Sequence, residues 1–243
     1  MKILVLGHTG MLGHIVKMYF ERMLFDVRVV TYRFETNNFK NEIIAFDGDI
    51  IINCIGAIPQ RTKYFKINTD LPIWLSDNAP CRVIHPATDC EMDNDSYGIS
   101  KRLANEYIQL YSTNTKVIKT SIVGPENGTH FGLMEWFLNQ NEEVSGWTQA
   151  IWNGNTTLEW SAQCYELIKN WEKYNKETIL ESAPISKYDM LNLFNIFYKK
   201  NIKIIPVNLG KDKCLKGEVK TKPLSEQLKE LKEFITSTYE VIP

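Results

Sequence analysis

Apolar residues along this chain follow two rhythms. Unbroken runs such as KILVL at 2–6 and the centre of GDIIINCIGAIPQ at 48–60 lack the polar alternation of a half-wet strand, and they predict strands covered on both faces. Further strands are expected at DVRVVTYR (26–33), CRVIHPATD (81–89) and KVIKTSIVG (116–124). Between them, helical patterns run from Met11 to about Met23, through INTDLPIWLSDNA and from Tyr97 to Tyr111. Strand and helix in turn predict an α/β fold, a doubly wound Rossmann-type parallel sheet with right-handed crossovers. From Asn127 on the alternation lapses. The expected division is a nucleotide-binding domain over 1–128 and a smaller substrate-binding lobe over 129–243 that partly returns to the first core. In that lobe a capped helix is expected from Ser186 to about Lys199, then a strand at IKIIPV and a proline-led amphipathic helix at PLSEQLKELKEFITSTY.

The first strand feeds GHTGMLGH, which puts Gly7, Gly10 and Gly13 at three-residue steps before a helix. A strand, a glycine turn and a helix start, in that order, let backbone amides approach a pyrophosphate at the positive helix end. The candidate cofactor-binding set here is Gly7, Thr9, Gly10, Met11, Leu12 and Gly13. A plain capping turn is the alternative. The end of the second strand faces the adenosine ribose in such sites, and here it holds Tyr32 and Arg33 with no acid before Glu35. Arginine suits the 2'-phosphate of NADP, so NADPH is expected ahead of NADH. The third strand ends at Cys54 and Gly56, which places both near the cofactor.

The stretch TDCEMDNDSYGISK carries the candidate chemistry. Thr88 closes a parallel strand at its carboxyl edge, where ligands of such sheets bind. Tyr97 and Lys101, four apart, share one face of the next helix. A nearby ammonium favours ionised phenol, so Lys101 is expected to ease proton transfer from Tyr97. Thr88 would hold a carbonyl oxygen while Tyr97 protonates it and hydride reaches the carbon.

GHTGMLGH, the Thr88-Asp89 strand end, YGISK and KTSIVGPE together resemble the extended short-chain dehydrogenase/reductases. The chain is most similar to the nucleotide-sugar 4-ketoreductases of the dTDP-4-dehydrorhamnose reductase type. GLMEWFLNQ, AIWNGNTTLEW and ISKYDMLNLFNIF look like the substrate-side segments of that group. The resemblance implies a catalytic triad of Thr88, Tyr97 and Lys101, with Lys101 also holding the nicotinamide ribose. It implies NADPH and a nucleotide-linked (UDP or dTDP) 4-keto-6-deoxy sugar in deoxysugar biosynthesis. One departure is plain: Tyr97 follows Thr88 by nine positions, where the family usually carries a longer, substrate-covering loop. A second resemblance, to GDP-fucose synthase and similar epimerase-reductases, implies acid/base roles at carbons beside the ketone for Cys90 and His130. Thiol and imidazole can serve the two faces of such a carbon. The alternatives are a small buried filler for Cys90 and a substrate or phosphate contact for His130.

Aromatic residues cluster beyond Asn127. With Thr88, Asp89 and His130, the candidate substrate-binding residues are Trp147, Trp152 and Asn153, suited to a pyrimidine ring and a sugar-diphosphate. Trp136 and Trp160 are expected in the core. DKCLKGEVKTK could contact diphosphate, or be a solvated loop.

Charge and composition narrow the partners. With 28 basic and 29 acidic residues and a formal net charge of -1, nothing favours nucleic acid or an anionic membrane. The chain opens straight into a strand, and no apolar run is long enough to span a bilayer. Five cysteines without CxxC spacing argue against a disulfide framework or a zinc site, so the expectation is a cytoplasmic protein with no metal. The expected partner is a nucleotide sugar, with a homodimer as candidate assembly. A catalytically silent NADP-binding sensor or partner subunit is the rival from another class.

Overall fold

The computed structural model describes residues 1–239 and opens with β1, Lys2–Leu6, whose side chains from Ile3 to Leu6 are all buried. α1, Met11–Arg22, follows the glycine turn and turns Leu12, Ile15, Val16 and Phe20 inward. β2, Asp26–Val30, stops short of Arg33 because the chain turns there: Thr36 N donates to Arg33 O at 3.0 Å. The Thr36 hydroxyl then caps α2, Asn37–Ile44, by accepting Phe39 N at 3.2 Å. β3, Ile50–Asn53, is buried throughout. α3, Ile67–Asn78, returns the chain to β4, Arg82–Ala87; a 3-10 turn at Asp89–Met92 leads to α4, Ser96–Tyr111, and then to β5, Thr115–Lys119. These strands pair in parallel, with Ile3 opposite Ile50 and Ile52 opposite Ile84.

The chain continues through β6, Ile122–Val123, α5, Leu133–Leu138, β7, Val144–Trp147, β8, Ile151–Trp152, β9, Asn155–Thr156, and α6, Thr157–Lys169. It ends with β10, Glu177–Glu181, β11, Ile185–Ser186, α7, Lys187–Phe197, β12, Ile204–Val207, β13, Val219–Lys220, and α8, Leu224–Tyr239. The central sheet is seven-stranded and parallel in the order β13-β10-β5-β4-β3-β1-β2. Among the described residues no helix is long and apolar enough to cross a membrane.

Two compact units divide the chain. The first holds Met1–Lys119 with Gln163–Thr178, the second Thr120–Ala162 with the residues from Ile179 on. The division falls before, rather than after, the 120–128 stretch. KVIKTSIVG is accordingly two strands instead of one. Thr120 Oγ1 accepts Asn155 Nδ2 at 2.9 Å and Ser121 O accepts Asn155 N at 2.8 Å, so β6 pairs with β9 rather than extending β5. In the second unit Phe137 and Phe194 meet at 6.1 Å between ring centres, and Trp160 is fully buried. Trp136, expected in the core, is 38% exposed, because Met134 and Phe137 occupy the inward face of the short α5.

Candidate functional site

The glycine turn is as tight as its sequence predicts. Gly7 sits at φ +74°, where an L side chain is strained, and a Cβ on Gly13 would stand 2.1 Å from Gly7 O. Gly10 N donates to Gly7 O at 3.0 Å and becomes the N-cap of α1 with no side chain covering the helix end. Thr9 is exposed beside it, Met11 opens the helix, and Leu12 is buried beneath. His8 Nδ1, within the turn, is buried with no hydrogen-bond partner among the described residues. A bare helix end, a backbone free of Cβ atoms and an unmet polar nitrogen fit the pyrophosphate of a dinucleotide. Arg33 is exposed past the end of β2, and Cys54 N is tied to Leu6 O at 2.9 Å. Burial pushes the Cys54 thiol well above its usual range, so it remains a neutral thiol.

Thr88 leaves β4 and caps the 3-10 turn. Its hydroxyl accepts Cys90 N at 3.3 Å and donates to Asp89 Oδ1 at 2.9 Å. The short path to Tyr97 closes because Gly98 has no side chain: a Cβ there would lie 2.3 Å from Cys90 O and 2.7 Å from Asp93 O. Asp95 caps α4 by accepting Gly98 N at 2.7 Å. The half-buried phenol of Tyr97 is thereby brought beside the Thr88 side chain, and its ring meets Phe65 edge-on at 5.6 Å. Burial first, then Cys90 and Asp89, raise the phenol far above its ordinary value, against the lowering effect of Thr88. The expected easing of its ionisation by Lys101 is not seen: burial and then Cys90 and Asp89 set the direction. Tyr97 is held protonated, the state of a proton donor.

Lys101, one turn on, is buried, and burial brings its ammonium down to about 8 although Glu91 and Cys90 pull it up. Its Nζ lies beside Gly56, 3.5 Å from where a Cβ there would stand. Two groups beside it escape a reading of the sequence. Buried Asn68 of α3 accepts Ala57 N at 2.7 Å, donates to Ala57 O at 2.9 Å and reaches Ser100 Oγ at 3.3 Å, joining the Gly56 loop to the helix of Tyr97 and Lys101. His85 of β4 is buried against Asn53 Nδ2 at 3.1 Å, and burial, then Lys101, hold it well below its usual range. The signal for both is an amide or imidazole standing in an otherwise apolar inward row.

The remaining candidates lie in the second unit. His130 sits on an exposed loop with Nδ1 2.8 Å from Asn139 Nδ2 and 3.7 Å from Glu135 Oε2. Trp147 is 48% exposed, whereas Trp152 is 3% exposed. Asn153 is buried and spends its amide on Leu215, donating to its carbonyl at 2.7 Å and accepting its N–H at 2.9 Å. The first unit thus assembles Thr88, Asp89, Cys90, Tyr97, Lys101 and Gly56, while Trp152 and Asn153 are engaged in the packing of the second.

No family model matches the chain, and no curated protein matches it. Solved structures do. A dTDP-4-dehydrorhamnose reductase from Clostridium acetobutylicum superposes with a TM-score of 0.76 at 17% identity, covering 97% of this chain and 100% of its own. The dTDP-4-dehydrorhamnose reductase from Bacillus anthracis, solved with NADP, gives 0.77 at 14% identity over 97% and 99%. A UDP-N-acetylglucosamine 4-epimerase from Bacillus cereus gives 0.74 at 14% over 97% and 96%. Seven parallel strands in this order, together with these superpositions over nearly the whole chain, give the protein the Rossmann-type α/β fold of these three enzymes.

Proposed function

We propose that the protein is an NADPH-dependent reductase of the C4 ketone of a UDP- or dTDP-linked 4-keto-6-deoxy sugar. The observation that carries this reading is the convergence of Thr88, at the carboxyl edge of β4, with Tyr97, whose helix start Gly98 packs against Cys90 O, and with Lys101 one helical turn away beside Gly56. The glycine turn and the bare start of α1 would hold the pyrophosphate, Arg33 the 2'-phosphate, and Lys101 the nicotinamide ribose. NADPH, when bound, supplies the hydride.

The chain's own residues supply the rest. Thr88 offers its hydroxyl proton to the ketone oxygen in place of Asp89 and so orients it. Tyr97 gives that oxygen its proton as the C4–O bond becomes an alcohol. The phenolate left behind is offset by the Lys101 ammonium until solvent restores the proton. The fold's known members with dTDP- and UDP-sugars support the substrate class. Mixing protein, NADPH and a dTDP- or UDP-4-keto-6-deoxyhexose should consume the reduced nicotinamide only when the sugar is present. Cofactor binding without turnover would instead identify a silent NADP-binding protein.

A second reading adds epimerisation at the carbon beside the ketone. It is favoured by Cys90, whose N–H donates to the Thr88 hydroxyl at 3.3 Å and whose carbonyl packs against Gly98, next to Tyr97. Replacing Cys90 by serine should then stop solvent deuterium from entering the sugar ring; labelling that continues unchanged removes the thiol from the chemistry.

A further inference from the structure

Next to Cys90, and unused by the chemistry above, Glu91 is a buried carboxylate. A charge out of water is costly unless it is fully paired, and Glu91 is. Its Oε1 accepts the backbone N–H of Thr88 at 3.4 Å. Its Oε2 accepts Asn105 Nδ2 of α4 at 3.0 Å and pairs with Lys119 Nζ at the end of β5 at 2.8 Å. Its own carbonyl accepts Arg102 Nη1 of α4 at 2.9 Å. Glu177 of β10 closes the set, 3.5 Å from Lys119 and bonded to Asn105. Burial alone would lower the Lys119 ammonium, but Glu91 and then Glu177 raise it above its ordinary value.

The segment this carboxylate controls is the one on which the site depends. Between Thr88 and Tyr97 the chain has a single four-residue 3-10 turn, too short to hold its own shape by internal hydrogen bonds. Glu91 lies at the third position of that turn and completes a reciprocal cap on Thr88, while its other oxygen is fixed to α4 and β5. An apolar side chain would fill the same space without the cost of burying a charge, but it would leave Thr88 N–H and Lys119 without their carboxylate. We propose that Glu91 is a positioning residue: by locking the start of the 3-10 turn to α4 and β5, it sets Thr88 in register with Tyr97. This rests on the reductive reading of the site.

Two variants separate the role from simple stability. Glu91→Met keeps the volume and leaves Lys119 paired with Glu177, but it removes the acceptor for Thr88. Its kcat with NADPH and a dTDP-4-keto-6-deoxyhexose should fall about 10–100-fold while the dissociation constant for NADPH stays as in the wild type. Glu91→Gln keeps an oxygen for Thr88 but turns an amide NH2 toward the donors Asn105 and Lys119, so it should recover only part of kcat. If Glu91→Met does not fold, Glu91→Asp, too short to span Thr88 and Lys119 together, takes its place with the same expected loss. A folded Met or Asp variant with wild-type kcat overturns the proposal. Should the wild type itself show no turnover, the reductive reading fails. The crystal structure of the Met variant then decides, since an unchanged placement of Thr88 beside Tyr97 would refute positioning and a displaced Thr88 would support it.

Discussion

A buried ammonium should cost the fold stability, and Lys101 allows that cost to be measured. Moving its ammonium from 10.5 to about 8 corresponds to about 3 kcal/mol against the charged form. The sign follows from which state holds the proton. Below about pH 8 both folded and unfolded chains carry the charge, and the folded chain bears the full penalty. Between about 8 and 10.5 the folded chain has released the proton and the unfolded chain has not, so stability rises with pH through that window. Lys101→Met, of similar length and uncharged, removes the penalty. In denaturant unfolding of the cofactor-free protein it should be more stable than wild type by about 1–3 kcal/mol near pH 7, the lower end allowing for imperfect packing. That advantage should shrink above pH 8 and vanish beyond about 10.5, whereas NADPH turnover is lost at every pH. Titrating groups out of reach of Lys101 cancel between the two chains, and His85, which burial and then Lys101 hold down, is neutral in both above about pH 8. A variant less stable than wild type near neutrality, or a difference that stays flat with pH, would show that the ammonium is not strained by burial.

Two substitutions test the cofactor cradle. Gly13→Ala puts a methyl 2.1 Å from the Gly7 carbonyl, where backbone must give way; NADPH affinity measured by fluorescence should collapse and stability should drop by about 1–3 kcal/mol. An alanine variant that binds as wild type would remove the turn from the binding site. Arg33→Ala should weaken NADPH by about tenfold or more while sparing NADH, as expected for a lost charge-assisted contact to one phosphate. Equal effects on both cofactors would assign Arg33 another role.

Much of this was written in periodicity. The buried runs of β1 and β3, the glycine turn and the four-residue step from Tyr97 to Lys101 are local patterns, and local patterns survive folding. What the sequence withheld depends on distant residues. KVIKTSIVG reads as one strand because nothing nearby betrays Asn155, whose bonds to Thr120 and Ser121 split it. Asn68 stands in an ordinary helical segment until Ala57 and Ser100 are found on either side of it. The state of Tyr97 was misjudged from the same cause: a neighbouring ammonium is visible in YGISK, but the burial that dominates it is not. Trp136 and Trp152 show the reverse, since aromatic composition cannot tell a ring on the surface of α5 from one packed in β8.

The reductive site stands on Tyr97 as proton donor, and one comparison addresses it directly. Wild type and Tyr97→Phe are titrated with NADPH and then assayed for its sugar-dependent oxidation with a dTDP-4-keto-6-deoxyhexose. The phenol's loss should lower kcat by about 10²–10⁴-fold and leave the NADPH dissociation constant unchanged, because the hydroxyl is needed only for proton transfer. Undiminished turnover by the phenylalanine variant would contradict the account.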